Sequence, residues 1–447
     1  MLKKNDYITG ECIDYTHDAL GIVKVDQFLI FVKNMIKGEV GKVKIIKVLK
    51  NYAVGRLISL DQTSIHRVDP ICPIFNQCGG CHIQYLDNAG QQAFKTNRVK
   101  ETLHKIGHVD VKVLPTIMME EPYYYRNKVQ VPVGTSENQL ITGFYKPHTN
   151  EIVKQDYCFL QNEESNLIIK RVRELLQFVG ETSFNKVNHK GNIKHILLRS
   201  GYHTHEVMLV FITYTNKIKD IKYICDVLLN EFPNIKTIIQ NINPRHDNVI
   251  LGEKVKVLYG KGYIEDILLD NTYRISAKSF YQVNPIQVEK LYSIAIDLAQ
   301  VSSNDTILDA YCGIGTIGLS VSKYCKKVIG VEIVTQAIID AKENALRNNI
   351  HNAEFYCDDA GNFISQYKGT MDIAFVDPPR KGCTKEFLDY LVQFGPKKIV
   401  YISCNVSTQA RDINYIKDYY KVETCQPVDM FPQSHHVETV VLLRREK

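Results

Sequence analysis

From about residue 270 the chain settles into one rhythm. Short apolar stretches (TILDAY, KVIGVEI, AEFYC, MDIAFVDPP, KKIVYISC) alternate with helix-like ones (GLSVSKYC, TQAIIDAKENALRNN, EFLDYLVQF). β-Branched and aromatic runs bounded by turn residues read as buried strands, and strands alternating with helices build a parallel, doubly wound α/β sheet. Ligands of such sheets sit beyond the carboxyl ends of the strands. The residues at those ends are therefore where chemistry is to be sought.

Four strand ends carry suitable groups. The first strand stops at Asp309, and the turn Ala-Tyr-Cys-Gly-Ile-Gly that follows contains Gly313 and Gly315. Glycines there let a ligand approach the backbone. The next strand ends on Glu332, 23 residues after Asp309, where an acid accepts hydrogen bonds from ribose hydroxyls. A nicotinamide dinucleotide is one candidate ligand, but the third glycine of its fingerprint, Gly318, falls within the helix. A third strand ends in Asp377-Pro378-Pro379-Arg380, where the prolines end pairing and stiffen the loop. The arginine stands where methyltransferases of exocyclic amines have an aromatic residue, which leaves this loop free to hold a cofactor or a substrate phosphate. The fourth, Lys398–Ile402, runs into Ser403-Cys404-Asn405. A cysteine there can be an ordinary small core residue. However, the polar NVSTQARD after it suits a helix start, and a helix N-terminus lowers a thiol pKa.

The rest of the chain reads differently. Residues 1–60 hold four or five short strands, which predicts an OB-type β-barrel. Lys33, Lys37, Lys42, Lys44, Lys47, Lys50 and Arg56 outnumber Asp26 and Glu39 there. The whole chain is nearly balanced at +6, so the bias is local and points to a phosphate-gripping surface. Residues 61–268 form a mixed α+β central part, with a helix near 88–108 that is expected to pack on the C-terminal domain, 269–447. The central part contains Cys72, Cys78 and Cys81, spaced C-x5-C-x2-C, with Cys158 as a fourth candidate. Four thiolates suit either zinc or an iron–sulfur cluster. Arg126 and Lys128 beside Tyr123–Tyr125 suggest a place to stack and neutralise splayed RNA. No apolar run is long enough to span a membrane. The N-terminus has no signal-peptide core, so a cytoplasmic location is expected, where twelve cysteines are not a disulfide framework.

The segment from Asp309 to Gly315 resembles motif I of S-adenosylmethionine-dependent methyltransferases, and Asp359 would then lie on the adenine side, with Asp358 competing. DAYCGIGTIGL, VDPPRKG, YISCN and HHVETVVLL, in that order and preceded by SFYQVN, resemble the RNA uridine C5-methyltransferases over essentially the whole chain. The barrel resembles a TRAM domain. The resemblance implies Gln282, Tyr311, Glu332 and Asp377 as cofactor contacts, Cys404 as nucleophile and Glu438 as base. It favours a four-iron, four-sulfur cluster on Cys72, Cys78, Cys81 and Cys158, with zinc as the alternative. Arg126, Phe280 and Asn284 are expected near the RNA. Barrel and cysteines together imply 23S rRNA as substrate, because the bacterial tRNA branch generally lacks both. RNA cytosine methyltransferases place their cysteine in the Asp-x-Pro loop, so Cys383 is read as incidental. The acting unit is expected to be a monomer. Two rivals remain: a redox protein using the cluster, and a non-catalytic RNA-binding protein.

Overall fold

The computed structural model describes residues 2–446. The N-terminal strands β1 (Tyr7–Tyr15), β2 (Gly21–Val25), β3 (Phe28–Lys33), β4 (Val40–Val48) and β5 (Tyr52–Gln62) close into a barrel in the order β1-β2-β3-β5-β4. Alternation along them buries Val23, Ile30, Val32, Val43 and Ile45 inside and turns the lysines out. The parallel β3–β5 pair is the crossover that shuts the barrel. Glu39 is fully buried and paired with Arg67, so it offsets none of the surface lysines. Instead it ties the barrel to the segment that follows.

That segment carries the first three cysteines and leads to α1 (Asn88–Lys105). Helix α1 packs on the C-terminal domain, with Val99 and Leu103 in its core. The central sheet is built from β6 (Lys128–Ser136), β7 (Gln139–Tyr145), β8 (Ile152–Lys154), β9 (Ile193–Ser200), β10 (Val207–Thr213), β11 (Ile235–Ile242) and β12 (Lys254–Gly260). Its order is β12-β11-β10-β9-β6-β7-β8. One face packs on α2 (Glu163–Phe178) and α3 (Ile221–Glu231). The other meets a hairpin, β13 (Tyr263–Leu268) and β14 (Asn271–Ser276), which lies in the same core as the C-terminal sheet. The boundary expected at 268/269 falls in this hairpin's turn, and a hydrogen-bonded hairpin is one unit.

The C-terminal domain runs α4 (Pro285–Ala299), β15 (Thr306–Ala310), α5 (Thr316–Val321), β16 (Lys327–Glu332), α6 (Thr335–Arg347), β17 (Ala353–Cys357), α7 (Ala360–Gln366), β18 (Ile373–Val376), α8 (Lys385–Phe394), β19 (Lys398–Ser403), α9 (Val406–Ile416), β20 (Tyr420–Val428) and β21 (Glu438–Arg445). Its sheet has the order β17-β16-β15-β18-β19-β21-β20. The pairs from β17 to β19 are parallel, and β21 is antiparallel to both neighbours. Helices cover both faces, which is why β15, β18 and β19 are almost wholly apolar. The strand order reverses between β15 and β18, and a crevice opens there at their carboxyl ends. Among the described residues no helix is long and apolar enough to cross a membrane.

Candidate active site

The crevice is a cavity of about 610 Å³. Gln282, Tyr311, Glu332, Asp359, Asp377, Cys404 and Glu438, far apart in sequence, all line it. The first turn is shaped by left-handed backbone at Tyr311 (φ 64°), Gly313 (φ 57°) and Gly315 (φ 84°). Tyr311, the non-glycine of the three, is held there while its ring packs edge-on against Phe387 at 5.5 Å. Glu332 accepts from the Gly313 N–H at 3.3 Å and the Val334 N–H at 3.0 Å, so it fixes the turn it faces. Behind it, buried Asp309 accepts from the Gly318 N–H at 2.8 Å and binds α5 to β15. Asp359 caps α7 through Gly361 N at 2.9 Å, and its neighbour Asp358 also reaches the cavity.

Cys404 directly follows the last residue of β19, and the expected helix, α9, begins two residues later. Asn405 caps it and also donates to the Arg380 carbonyl at 3.0 Å, which fastens the Asp-Pro-Pro-Arg loop beside the cysteine. Ser403 pairs with Thr439 in the antiparallel register of β19 and β21, so Cys404 and Glu438 lie opposite one another just past the last pair. Burial, then Glu438 and Asp377, push the Cys404 thiol up to about 11, while Arg380 pulls it down. Burial and then Asp377 raise the Glu438 carboxyl to about 8, again opposed by Arg380. Burial alone takes Asp377 to about 7. Arg380 is thus the cation facing both groups. The sequence left its loop free to hold a cofactor or a substrate phosphate, but the reach of Arg380 to Cys404 and Glu438 needs β18 and β19 side by side. Cys312 also lines the cavity but is 5% exposed and carries a thiol raised far above its usual range by burial. Cys383 is buried elsewhere against Tyr401 and Asp412.

The RNA-facing expectations divide. Phe280 is 71% exposed on the cavity rim. Asn284 is fully buried: it caps α4 and donates to the Met430 carbonyl at 3.2 Å, so it offers nothing to RNA. Arg126 points elsewhere too. It lines a second cavity, of about 290 Å³, together with Lys128, Cys72, Cys78, Cys81 and Cys158, and its Nε is buried without a partner. Two N–H groups already point at sulfur there, Gly80 N to Cys78 at 3.3 Å and Gln84 Nε2 to Cys81 at 3.2 Å. Burial, then the other three cysteines, drive the Cys81 thiol up to about 12. Among the described residues no three His, Cys, Asp or Glu side chains converge on one ion position. All four cysteines line this one pocket.

A family model described as tRNA (uracil-5-)-methyltransferase matches residues 87–446. The chain belongs to this family. Relatives match at full length. A Bacillus cereus (strain ATCC 10987 / NRS 248) protein called "Uncharacterized RNA methyltransferase" is 44% identical over 449 residues, 99% of this chain and 98% of its own. One of the same description from Staphylococcus epidermidis (strain ATCC 12228 / FDA PCI 1200) is 44% identical over 451 residues, 100% and 99% of the two chains. Among solved structures, the Pyrococcus abyssi tRNA (uracil-54, C5)-methyltransferase in complex with S-adenosyl-L-homocysteine superposes with a TM-score of 0.78. It is 26% identical and covers 97% of this chain and 99% of its own. The likeness therefore extends beyond the family match to the N-terminal region as well.

Proposed function

We propose that this chain methylates carbon 5 of a uridine in RNA, with S-adenosylmethionine as donor, Cys404 as nucleophile and Glu438 as base. The observation that carries the reading is the meeting of a thiol and a buried carboxyl across one β-ladder, in the cavity at the switch point of the sheet. Carbon 5 of uracil is a poor nucleophile. Addition of the Cys404 thiolate to carbon 6 makes carbon 5 enolate-like. The bound cofactor supplies an electrophilic methyl group. Glu438 then takes the proton left on carbon 5, the electron pair re-forms the ring double bond, the sulfur–carbon bond breaks, and Cys404 leaves as thiolate. Arg380 favours the ionised forms of both groups. Gln282, Tyr311, Glu332, Asp359 and Asp377 are assigned to the cofactor, whose positive sulfonium suits the carboxylates of the cavity.

The remaining parts serve the RNA. The barrel, TRAM-like in sequence, presents Lys42 and Lys44 over the ring of Tyr7 at 5.1 and 5.6 Å, a cation–aromatic surface suited to phosphates and a stacked base. The cysteine pocket is taken to hold a four-iron, four-sulfur cluster, with zinc as the alternative, because all four cysteines that the resemblance implies as ligands line it. Cys72, Cys78, Cys81 and Cys158 would hold it as a structural staple, and Arg126 would lie against it. One chain contains the nucleophile, the base and the cofactor wall, so the monomer is taken as the acting unit.

We take 23S rRNA as the substrate on the strength of the barrel and cysteines together. A second reading, tRNA, is favoured by the full-length likeness to an archaeal tRNA enzyme, since a barrel alone does not separate the two. The test is in vitro methylation of 23S rRNA and of tRNA with labelled cofactor, followed by nucleoside mapping. 5-Methyluridine in 23S rRNA is expected. Its appearance only in tRNA would transfer the assignment, and its appearance in neither would end it.

A further inference from the structure

The segment between β20 and β21, residues 429–437, ends on Glu438 and has no regular structure of its own. Its carbonyls are held mainly from outside the C-terminal sheet. From α4, Gln287 donates to the Asp429 carbonyl at 3.1 Å and Asn284 to that of Met430. The Tyr125 hydroxyl donates to Pro432 at 3.2 Å. Gln433, in left-handed backbone at φ 68°, accepts from the His82 and Ile83 N–H groups at 2.9 and 3.2 Å, directly after Cys81. From α1, Gln91 Nε2 reaches the Gln433 side chain at 3.0 Å, Arg98 donates to the His435 carbonyl, and Lys95 bonds both the Asp429 carboxylate and the Phe431 carbonyl.

The Lys95–Asp429 pair is the unusual member. Both side chains are wholly buried, although 334 residues separate them. One carboxylate oxygen, Oδ2 of Asp429, has no partner. A buried pair so incompletely satisfied brings little net stability, because desolvation offsets the attraction, and an apolar pair of the same volume would serve as well. What a charged pair adds is a single geometry. Shifting a reacting group by about 1 Å is enough to cost on the order of a hundredfold in rate. Val428, the residue before Asp429, is the ladder partner of Glu438, so the pair sits at the root of the segment that leads to the carboxyl.

We propose that Lys95 is a positioning residue for Glu438: through Asp429 and Phe431 it fixes the 429–437 segment so that the carboxyl stays opposite Cys404. The inference rests on Glu438 being the base. It predicts a separation of steps, because Gln282, Tyr311, Glu332, Asp359, Asp377 and Cys404 are held by other elements, and Phe431 is what the segment adds to the cavity wall besides Glu438.

The test compares wild type, Glu438→Gln, Lys95→Met, Lys95→Arg and Arg98→Met. For each, S-adenosylmethionine affinity is read by calorimetry and the lifetime of the methylated RNA adduct on denaturing gels. Lys95→Met is expected to bind cofactor within about twofold of wild type and to form adduct, but to resolve it at least about tenfold more slowly, as expected for a displaced base. Lys95→Arg should recover part of that rate, and Arg98→Met should show a smaller delay. Wild-type adduct lifetimes in Lys95→Met and Arg98→Met, alongside a long-lived adduct in Glu438→Gln, would overturn the proposal and leave the base standing. Equal loss of cofactor binding and adduct formation in Lys95→Met would overturn it too, as a plain folding defect. If Lys95→Met is insoluble, Arg98→Met decides: a normal adduct lifetime overturns the proposal. Normal turnover by Glu438→Gln would remove the base assignment and the proposal with it.

Discussion

Burying Glu438, the proposed base, is expected to cost stability, and this can be measured without RNA. The residue is 5% exposed, and its carboxyl is raised from an ordinary 4.5 to about 8, first by burial and then by Asp377. The folded protein thus holds the proton more tightly than the unfolded chain does. Between about pH 4.5 and 8 the contribution of Glu438 to stability therefore falls as pH rises, through the linkage of proton binding to folding. At about 1.4 kcal/mol per pH step the difference amounts to roughly 5 kcal/mol, an upper bound that water entering the cavity reduces. Glu438→Gln removes the cost. In calorimetry of the cofactor-free protein, the variant's C-terminal domain should melt on the order of 10 °C above wild type near pH 8.5, at about 2–4 °C per kcal/mol for a domain this size. Near pH 4.5 the two should coincide. The same substitution removes one of the groups that raise Cys404, so its thiol should react with iodoacetamide at lower pH. A gain in melting temperature that is equal at both pH values, or a loss at pH 8.5, would refute the reasoning.

Three further outcomes follow from other parts of the molecule. A β-carbon at Gly318 would lie 2.8 Å from Asp309 Oδ2 and 2.9 Å from Val328 Cγ1, so Gly318→Ala should cost about 1–3 kcal/mol and weaken cofactor binding, both read by calorimetry. Deleting residues 1–62 should weaken RNA binding and flatten its salt dependence while sparing cofactor affinity; an unchanged salt slope would mean the barrel does not touch phosphates. Protein purified without oxygen should contain iron and sulfide, and Cys78→Ser should lose both along with solubility; stoichiometric zinc would replace the cluster with a single ion.

What the sequence made legible depended on how local each signal was. β19 could be read because its apolar run and polar successor sit within a dozen residues, and Cys404 came with it. The barrel's lysine excess was equally local. Asn284 misled because the same side chain serves as a helix cap or as an RNA contact, and only burial separates them. Arg126 misled for a related reason. Its tyrosine neighbours suggested stacking on RNA, whereas the pairing of its backbone N–H with Leu160 turns it toward the cysteines. Lys95 carried no signal at all: a lysine in a polar helix reads as solvated until Asp429, at the far end of the chain, is brought against it. The hairpin across 268/269 was missed because its strands are short and pack between two sheets.

The most direct test of the account is the covalent link itself. Wild-type protein incubated with S-adenosylmethionine and RNA carrying 5-fluorouridine at the target position should form a complex that survives denaturation, since fluorine cannot leave as a proton would. Mass spectrometry of the digested complex should place methylated fluorouridine on the peptide containing Cys404, and Cys404→Ala should form no complex. A cross-link on Cys312 or Cys383, or methylated RNA released by Cys404→Ala, would contradict the account.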